Sequence, residues 1–143
     1  MKTYVLTVSQ YFPATHLRKG EPTDFVTKIM KMEKIHTIRG NYDLWKHRAN
    51  EINAGRARLS VRVWTGTPYK SKQREVFAFV GIGVQKIEPT LLGWFVDDCE
   101  SNIIVSELAK NDGLYREDFT AWFEDWPWDT PKAIIHFTDF RYK

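Results

Sequence analysis

Apolar positions recur along this chain with two periods, one of about two residues and one near 3.6. Residues 2–8 alternate and predict a first strand. Gly20-Glu21-Pro22-Thr23-Asp24 is a helix-start signal, and Phe25, Val26, Ile29 and Met30 follow as a stripe at helical spacing. A short strand is expected over 35–39. Gly40-Asn41 turns the chain, with Asn41 placed to cap a helix over 42–53 and Gly55 placed to end it. Residues 57–65 alternate cleanly: Leu59, Val61 and Val63 face one way, and Arg58, Ser60, Arg62 and Trp64 the other. After a turn-rich basic loop, 66–74, residues 75–87 are apolar on both faces and predict one long central strand broken by Pro89. Gly81 and Gly83 on one side of it suggest curvature or close backbone approach. A short strand over 91–96, a helix over 103–110, an Asn111-Asp112-Gly113 turn, a helix over 116–124 and a last strand over 133–140 complete the pattern. Strands mixed with short helices, with much of the β structure contiguous, predict an α+β fold around a small barrel or curved sheet.

At 143 residues the chain has the length of a single domain, 1–143, able to bury a core without disulfides or a structural metal. No repeat or flexible linker divides it. The lone cysteine, Cys99, excludes an intrachain disulfide and a Cys-rich zinc site, and nothing adjacent in sequence activates its thiol. No run approaches the roughly 18 apolar residues of a membrane span, and the N-terminal apolar stretch is too short for a secretion signal. A reducing, cytoplasmic setting is the default expectation. His36, His47 and His136 lack metal-ligand spacing, and Gly81-x-Gly83 lacks a dinucleotide-binding context, so neither metal nor cofactor is expected.

The net charge of +3 hides a split. Residues 1–74 carry 15 Lys and Arg against 5 Asp and Glu, whereas residues 75–143 carry 6 against 13. Such asymmetry fits a basic surface that meets a polyanion, and equally fits halves whose charges meet on folding. Arg58, Arg62, Trp64, Tyr69, Lys70, Lys72 and Arg74 combine cations with aromatic rings along one strand face and its loop. Phosphates favour the former and unstacked bases the latter, which makes this segment a candidate nucleic-acid contact; a solvated strand face with an ordinary hairpin tip is the other reading. With aromatics at 15%, Trp126-Pro127-Trp128 reads as packing around a turn, with one Trp free to line a cleft.

The densest chemistry lies in Lys34-Ile35-His36-Thr37-Ile38-Arg39. In a strand, Thr37 and Arg39 share a face and His36 takes the other, so Lys34 reaches Thr37 only from the bend leaving the preceding helix. The same residues also suit a solvated Lys, a strand Thr and a surface Arg. Lys34-x-x-Thr37-x-Arg39 after an amphipathic helix resembles the signature of the ASCH domain, a branch of the PUA-like superfamily. That signature is usually Gly-x-Lys-x-x-Glu-x-Arg, with Thr in place of Glu in one branch; Met32 stands where Gly is frequent. Leu108-Ala109-x-Asn111-Asp112-Gly113-Leu114, then Phe119 and Trp122-Phe123, then the Ile134-Ile135-His136-Phe137 strand follow in an order similar to the family's. The helix over 42–53 and the loop 66–74 are elaborations on its smallest members.

The resemblance implies a small PUA-like β-barrel with helices packed around its mouth, a cleft beside the motif, and association with RNA. Small bacterial members with the Thr version resemble amidohydrolases that remove the acetyl group from 4-acetylcytidine with a Lys, a Thr and an acid. The matching positions are Lys34, Thr37 and Asp112, where the family's acid is commonly Glu. Two functions follow as expectations. The first is a module binding RNA or a modified nucleotide beside Lys34, Thr37 and Arg39 and along the basic strand and loop. The second is a small amidohydrolase or metal-independent ribonuclease using Lys34, Thr37 and Asp112. A Thr hydroxyl attacks only if a base takes its proton; Lys34 fits that part if burial or a neighbouring cation such as Arg39 lowers its pKa, although an acid beside it pulls the other way.

Overall fold

A computed structural model describes residues 1–127 and 130–143; Trp128, and with it part of the expected aromatic turn, lies outside the described residues. The elements are β1 (Lys2–Thr7), α1 (Phe25–Met30), β2 (His36–Arg39), α2 (Tyr42–Asn53), β3 (Ala57–Trp64), β4 (Gln73–Phe79), β5 (Gly83–Thr90), β6 (Gly93–Val96), β7 (Cys99–Ser101), α3 (Val105–Asn111), α4 (Arg116–Trp122) and β8 (Lys132–His136). They form a mixed α+β fold with two sheets, ordered β1-β3-β4 and β2-β8-β5-β6-β7. β1 runs parallel to β3, and every other pairing is antiparallel. Among the described residues no ladder closes the sheets into a ring.

Alternation in β3 and β8 decides how the layers stack. Ala57, Leu59, Val61 and Val63 of β3 enter a core with Trp45, Ala49 and Ile52 of α2, and Ala133 and Ile135 of β8 reach the same core from the second sheet. Ile134, one residue out of phase, enters a second core with Ile38, Ile87, Leu108 and Phe119. The five-stranded sheet is therefore covered on both faces at β8, which is why Ala133-Ile134-Ile135 is apolar without alternation. α2 is capped as its sequence predicts: Leu44 N–H donates to Asn41 Oδ1 at 3.2 Å.

Three boundaries depart from the periodicity. The long strand expected over 75–87 is two strands in different sheets. Asn53, at the end of α2, donates to Ile82 O at 2.8 Å and accepts from Ile82 N–H at 3.0 Å, taking both backbone groups that a continuous strand would use. Gly83 then passes so close to the Arg141 guanidinium that a Cβ would overlap it. Pro89 does not break β5 but sits inside it, opposite Trp94 of β6; the β8 ladder ends earlier, at Ile87, so β5 has only one neighbour there. The last strand stops at His136: Phe137 N–H still donates to Ile35 O at 3.0 Å, but the chain then bends, and Tyr142 is held back over β5 by Gln85.

Candidate functional site

The site is assembled where α1 hands over to β2 and where α3 ends. Glu33 and Lys34 N–H groups both donate to Lys28 O, at 2.8 and 3.0 Å, and Met32 takes a left-handed φ of 59° to make that turn. Lys34 thus precedes β2 and escapes its alternation, the placement from which it can share a cleft with Thr37. The turn after α3 is zipped onto this bend: Lys34 bridges Asp112, and Ile35 N–H donates to Asn111 O at 2.9 Å. Gly113 has φ 80°, and a Cβ on it would stand 3.0 Å from the Lys34 side chain, so this position requires glycine for both conformation and space. The turn brings Asp112 inward. Lys34 Nζ donates to the Asp112 backbone carbonyl at 2.7 Å and to its Oδ1 at 3.1 Å, with Lys34 2% and Asp112 3% exposed. The ammonium lies 4.2 Å from the Phe25 ring centroid.

Lys34, Thr37, Arg39 and Asp112 line one cavity of about 20 Å³, with Phe25 and Trp122 among its apolar walls. That is the space of about one water molecule. Arg39 is tethered by Nη2 donating to Thr7 O at 2.6 Å, while its Nε is buried without a partner. Arg39 thus brings an unpartnered cationic donor to the residues that line the cavity with Thr37.

Burial is the largest influence on Lys34 and lowers its pKa, against the pull of Asp112, with the Arg39 and Lys28 charges adding to the lowering. Burial also acts to raise Asp112, but the Lys34 charge and the His36 contact outweigh it and hold the carboxyl below its ordinary range. Arg39 is lowered by burial too. The site is thus a desolvated cation–carboxylate pair whose amine is shifted toward neutrality, the arrangement a general base needs.

One residue that sequence reasoning set aside belongs here. His36 is fully buried, with Nδ1 3.3 Å from Asp112 Oδ1 and Nε2 2.7 Å from the Tyr142 hydroxyl. Strand alternation turns it away from Thr37, as expected, but Asp112 reaches both sides. No local signal marks it, because its partners lie 76 and 106 residues away in sequence.

The basic strand and loop divide in two. Arg58 pairs with Glu75 at 2.8 Å, and Arg62 donates from Nε to Ser60 Oγ at 2.9 Å and from Nη1 to Gln73 Oε1 at 3.3 Å. Glu75 also accepts from Ser60, so this stretch is locally compensated. Beyond it Lys70, Lys72 and Arg74 are exposed, and Trp64 and Tyr69 pack with ring centroids 5.0 Å apart. Loop and cavity are linked through β1: Arg39 is bonded to Thr7, and Thr7 is in register with Arg62.

Among the described residues no group of three or more His, Cys, Asp or Glu is placed to hold a metal ion, and no helix is long and apolar enough to cross a membrane. Comparison of the chain with protein-family models, with curated proteins and with solved structures gives no match.

Proposed function

We propose that the chain is a small hydrolase of the ASCH type that removes an acyl group from the exocyclic nitrogen of a modified nucleoside. The observation that supports this reading is that Lys34, Thr37, Arg39 and Asp112 all line one water-sized cavity. In the same reading the two sheets are the sides of a PUA-like barrel, with the cavity at its mouth. The cavity accommodates a carbonyl, not a base, so the ring rests outside, against the half-buried Trp122 and Phe123.

The chemistry balances without a metal. Thr37 Oγ1 attacks the acyl carbon as its proton passes to the deprotonated form of Lys34, and the oxyanion accepts a hydrogen bond from the unpartnered Arg39 Nε–H. Lys34 returns the proton to the departing amine as the C–N bond breaks. Water then attacks the Thr37 ester, Lys34 takes its proton, and Thr37 leaves as the hydroxyl when that proton is handed on. Asp112 holds the Lys34 amine in line throughout.

Incubation with 4-acetylcytidine, followed chromatographically, tests this. Cytidine release is expected from the wild type and is expected to fall by about 10²-fold or more in Thr37→Ala and Lys34→Met. Release no faster than without protein, or a Thr37→Ala variant as fast as the wild type, rejects it.

The exposed Lys70, Lys72 and Arg74 beside the Trp64–Tyr69 pair favour a second reading, a module that binds RNA or a modified nucleotide without turning it over. It predicts binding to short single-stranded RNA that weakens with salt, and a log–log slope shallower by about 2 when all three cations become Ala. An unchanged slope rejects it.

A further inference from the structure

Behind the cavity lies a buried polar chain that the reaction as written does not use. Tyr142, 5% exposed, sits on the segment that turns back after β8. Its backbone is clamped by one side chain: Tyr142 N–H donates to Gln85 Oε1 at 2.9 Å, and Gln85 Nε2 donates to Tyr142 O at 2.9 Å. Its hydroxyl accepts from Asn111 Nδ2 at 3.0 Å and lies 2.7 Å from His36 Nε2. Asn111 is the residue before Asp112, so the chain closes into a ring around the acid.

The direction of every proton in this ring is fixed by what each group can do. Asp112 is ionised and can only accept, so His36 must present Nδ1–H to it. Burial keeps His36 neutral, so its Nε2 is an acceptor, and Tyr142 must donate to it. Burial keeps the Tyr142 phenol protonated, leaving its oxygen to accept from Asn111. The neighbouring His136 obeys the same logic in reverse. Gln85 Oε1 only accepts, so His136 carries its proton on Nε2, and its bare Nδ1 is left without a partner. The groups that face His36 are thus Asp112, Lys34, Tyr142 and the His136 ring at 5.6 Å, and no other charge is needed to set its state.

We propose that His36, locked as its Nδ1–H tautomer by the Tyr142 hydroxyl, is the positioning residue that holds the Asp112 carboxylate against Lys34, so that the segment after β8 takes part in building the site. Its effect on turnover rests on the hydrolase reading; its hydrogen-bond geometry does not.

Long-range ¹H–¹⁵N correlation of the histidine rings, with kcat and KM for 4-acetylcytidine, tests it in the wild type and in Tyr142→Phe, which keeps the ring and removes only the hydroxyl. The wild type is expected to show His36 neutral with the proton on Nδ1. Tyr142→Phe is expected to redistribute that proton toward Nε2 and to lower kcat by about tenfold or more with KM little changed, as loss of alignment does. His36→Asn, whose amide can donate from the position of Nδ1, is expected to retain about tenfold more kcat than His36→Leu. A wild-type His36 protonated on Nε2 or on both nitrogens overturns the proposal even if no variant folds. So does a Tyr142→Phe protein with unchanged ring nitrogen shifts, or one with the expected shifts and full kcat. If the wild type shows no turnover, the hydrolase reading fails, and the ring nitrogen shifts of wild type and Tyr142→Phe still decide the positioning claim.

Discussion

Replacing Asp112 with Asn leaves the Lys34 amine 2% exposed with a carbonyl for company and no counter-charge. Removing one member of a buried pair costs about 3–5 kcal/mol, mostly the penalty of the charge left behind. In a chain of this size that is a fall in Tm of about 10–15 °C. The pH dependence carries the stronger test. Asp112 lies below its ordinary 3.8, so the stability it gives is present above that value and is lost as pH falls through the folded-state value. Lys34 lies below its ordinary 10.5, so while protonated it costs stability, and the cost shrinks as pH rises toward 10.5 and the folded state sheds the proton first. Without Asp112 the amine falls further, and its cost is relieved from a lower pH. The gap between wild type and Asp112→Asn is therefore widest near pH 5–7 and narrows toward both pH 10 and pH 3. Urea unfolding followed by tryptophan fluorescence across that range measures it. Adding Lys34→Met to Asp112→Asn removes the orphaned charge and is expected to recover most of the loss. A gap that is constant with pH, or a double variant no more stable than Asp112→Asn, refutes the ion pair as the source.

Two turns make opposite predictions about glycine. Met32→Gly relieves a left-handed residue whose side chain is 73% exposed, a gain of about 1–2 kcal/mol against about 0.5–1 for glycine's extra freedom when unfolded, so Tm should hold or rise slightly. Gly113→Ala meets the same φ penalty and pushes on Lys34, so it should lower Tm by several degrees and turnover with it; a neutral Gly113→Ala contradicts the packing described. His136 is held down to about 3, by burial above all and with the Arg141 charge acting the same way. Its ring should stay neutral in an NMR titration from pH 7 to 4. Because the unfolded chain takes up that proton near 6.5, the group should make stability fall as pH drops below about 6.5; a ring that titrates near 6 contradicts its burial.

Local pattern was enough to locate β1, α1, β2, α2 and β3, because amphipathic periodicity, an Asn cap and a terminating glycine act within one or two turns of chain. It also drew attention to Lys34, Thr37 and Arg39, whose residue types and spacing are one-dimensional facts, whereas Asp112, in a segment that reads locally as a turn, was named only through the resemblance to the ASCH signature. It could not show that apolar 75–87 divides between two sheets, since that turns on Asn53, which fills the backbone groups of Ile82 from another element. Nor could it choose between the two meanings of the charge split. Folding realises both: Arg18–Asp118, Lys34–Asp112 and Arg58–Glu75 join the basic half to the acidic half, while Lys70, Lys72 and Arg74 stay exposed. His36 marks the boundary most sharply. Its strand position was legible, but its chemistry depends on a carboxylate and a phenol brought to it from the far end of the chain. Only burial of all three together fixes where their protons lie, since in water each would be solvated separately and the order of donors would be lost.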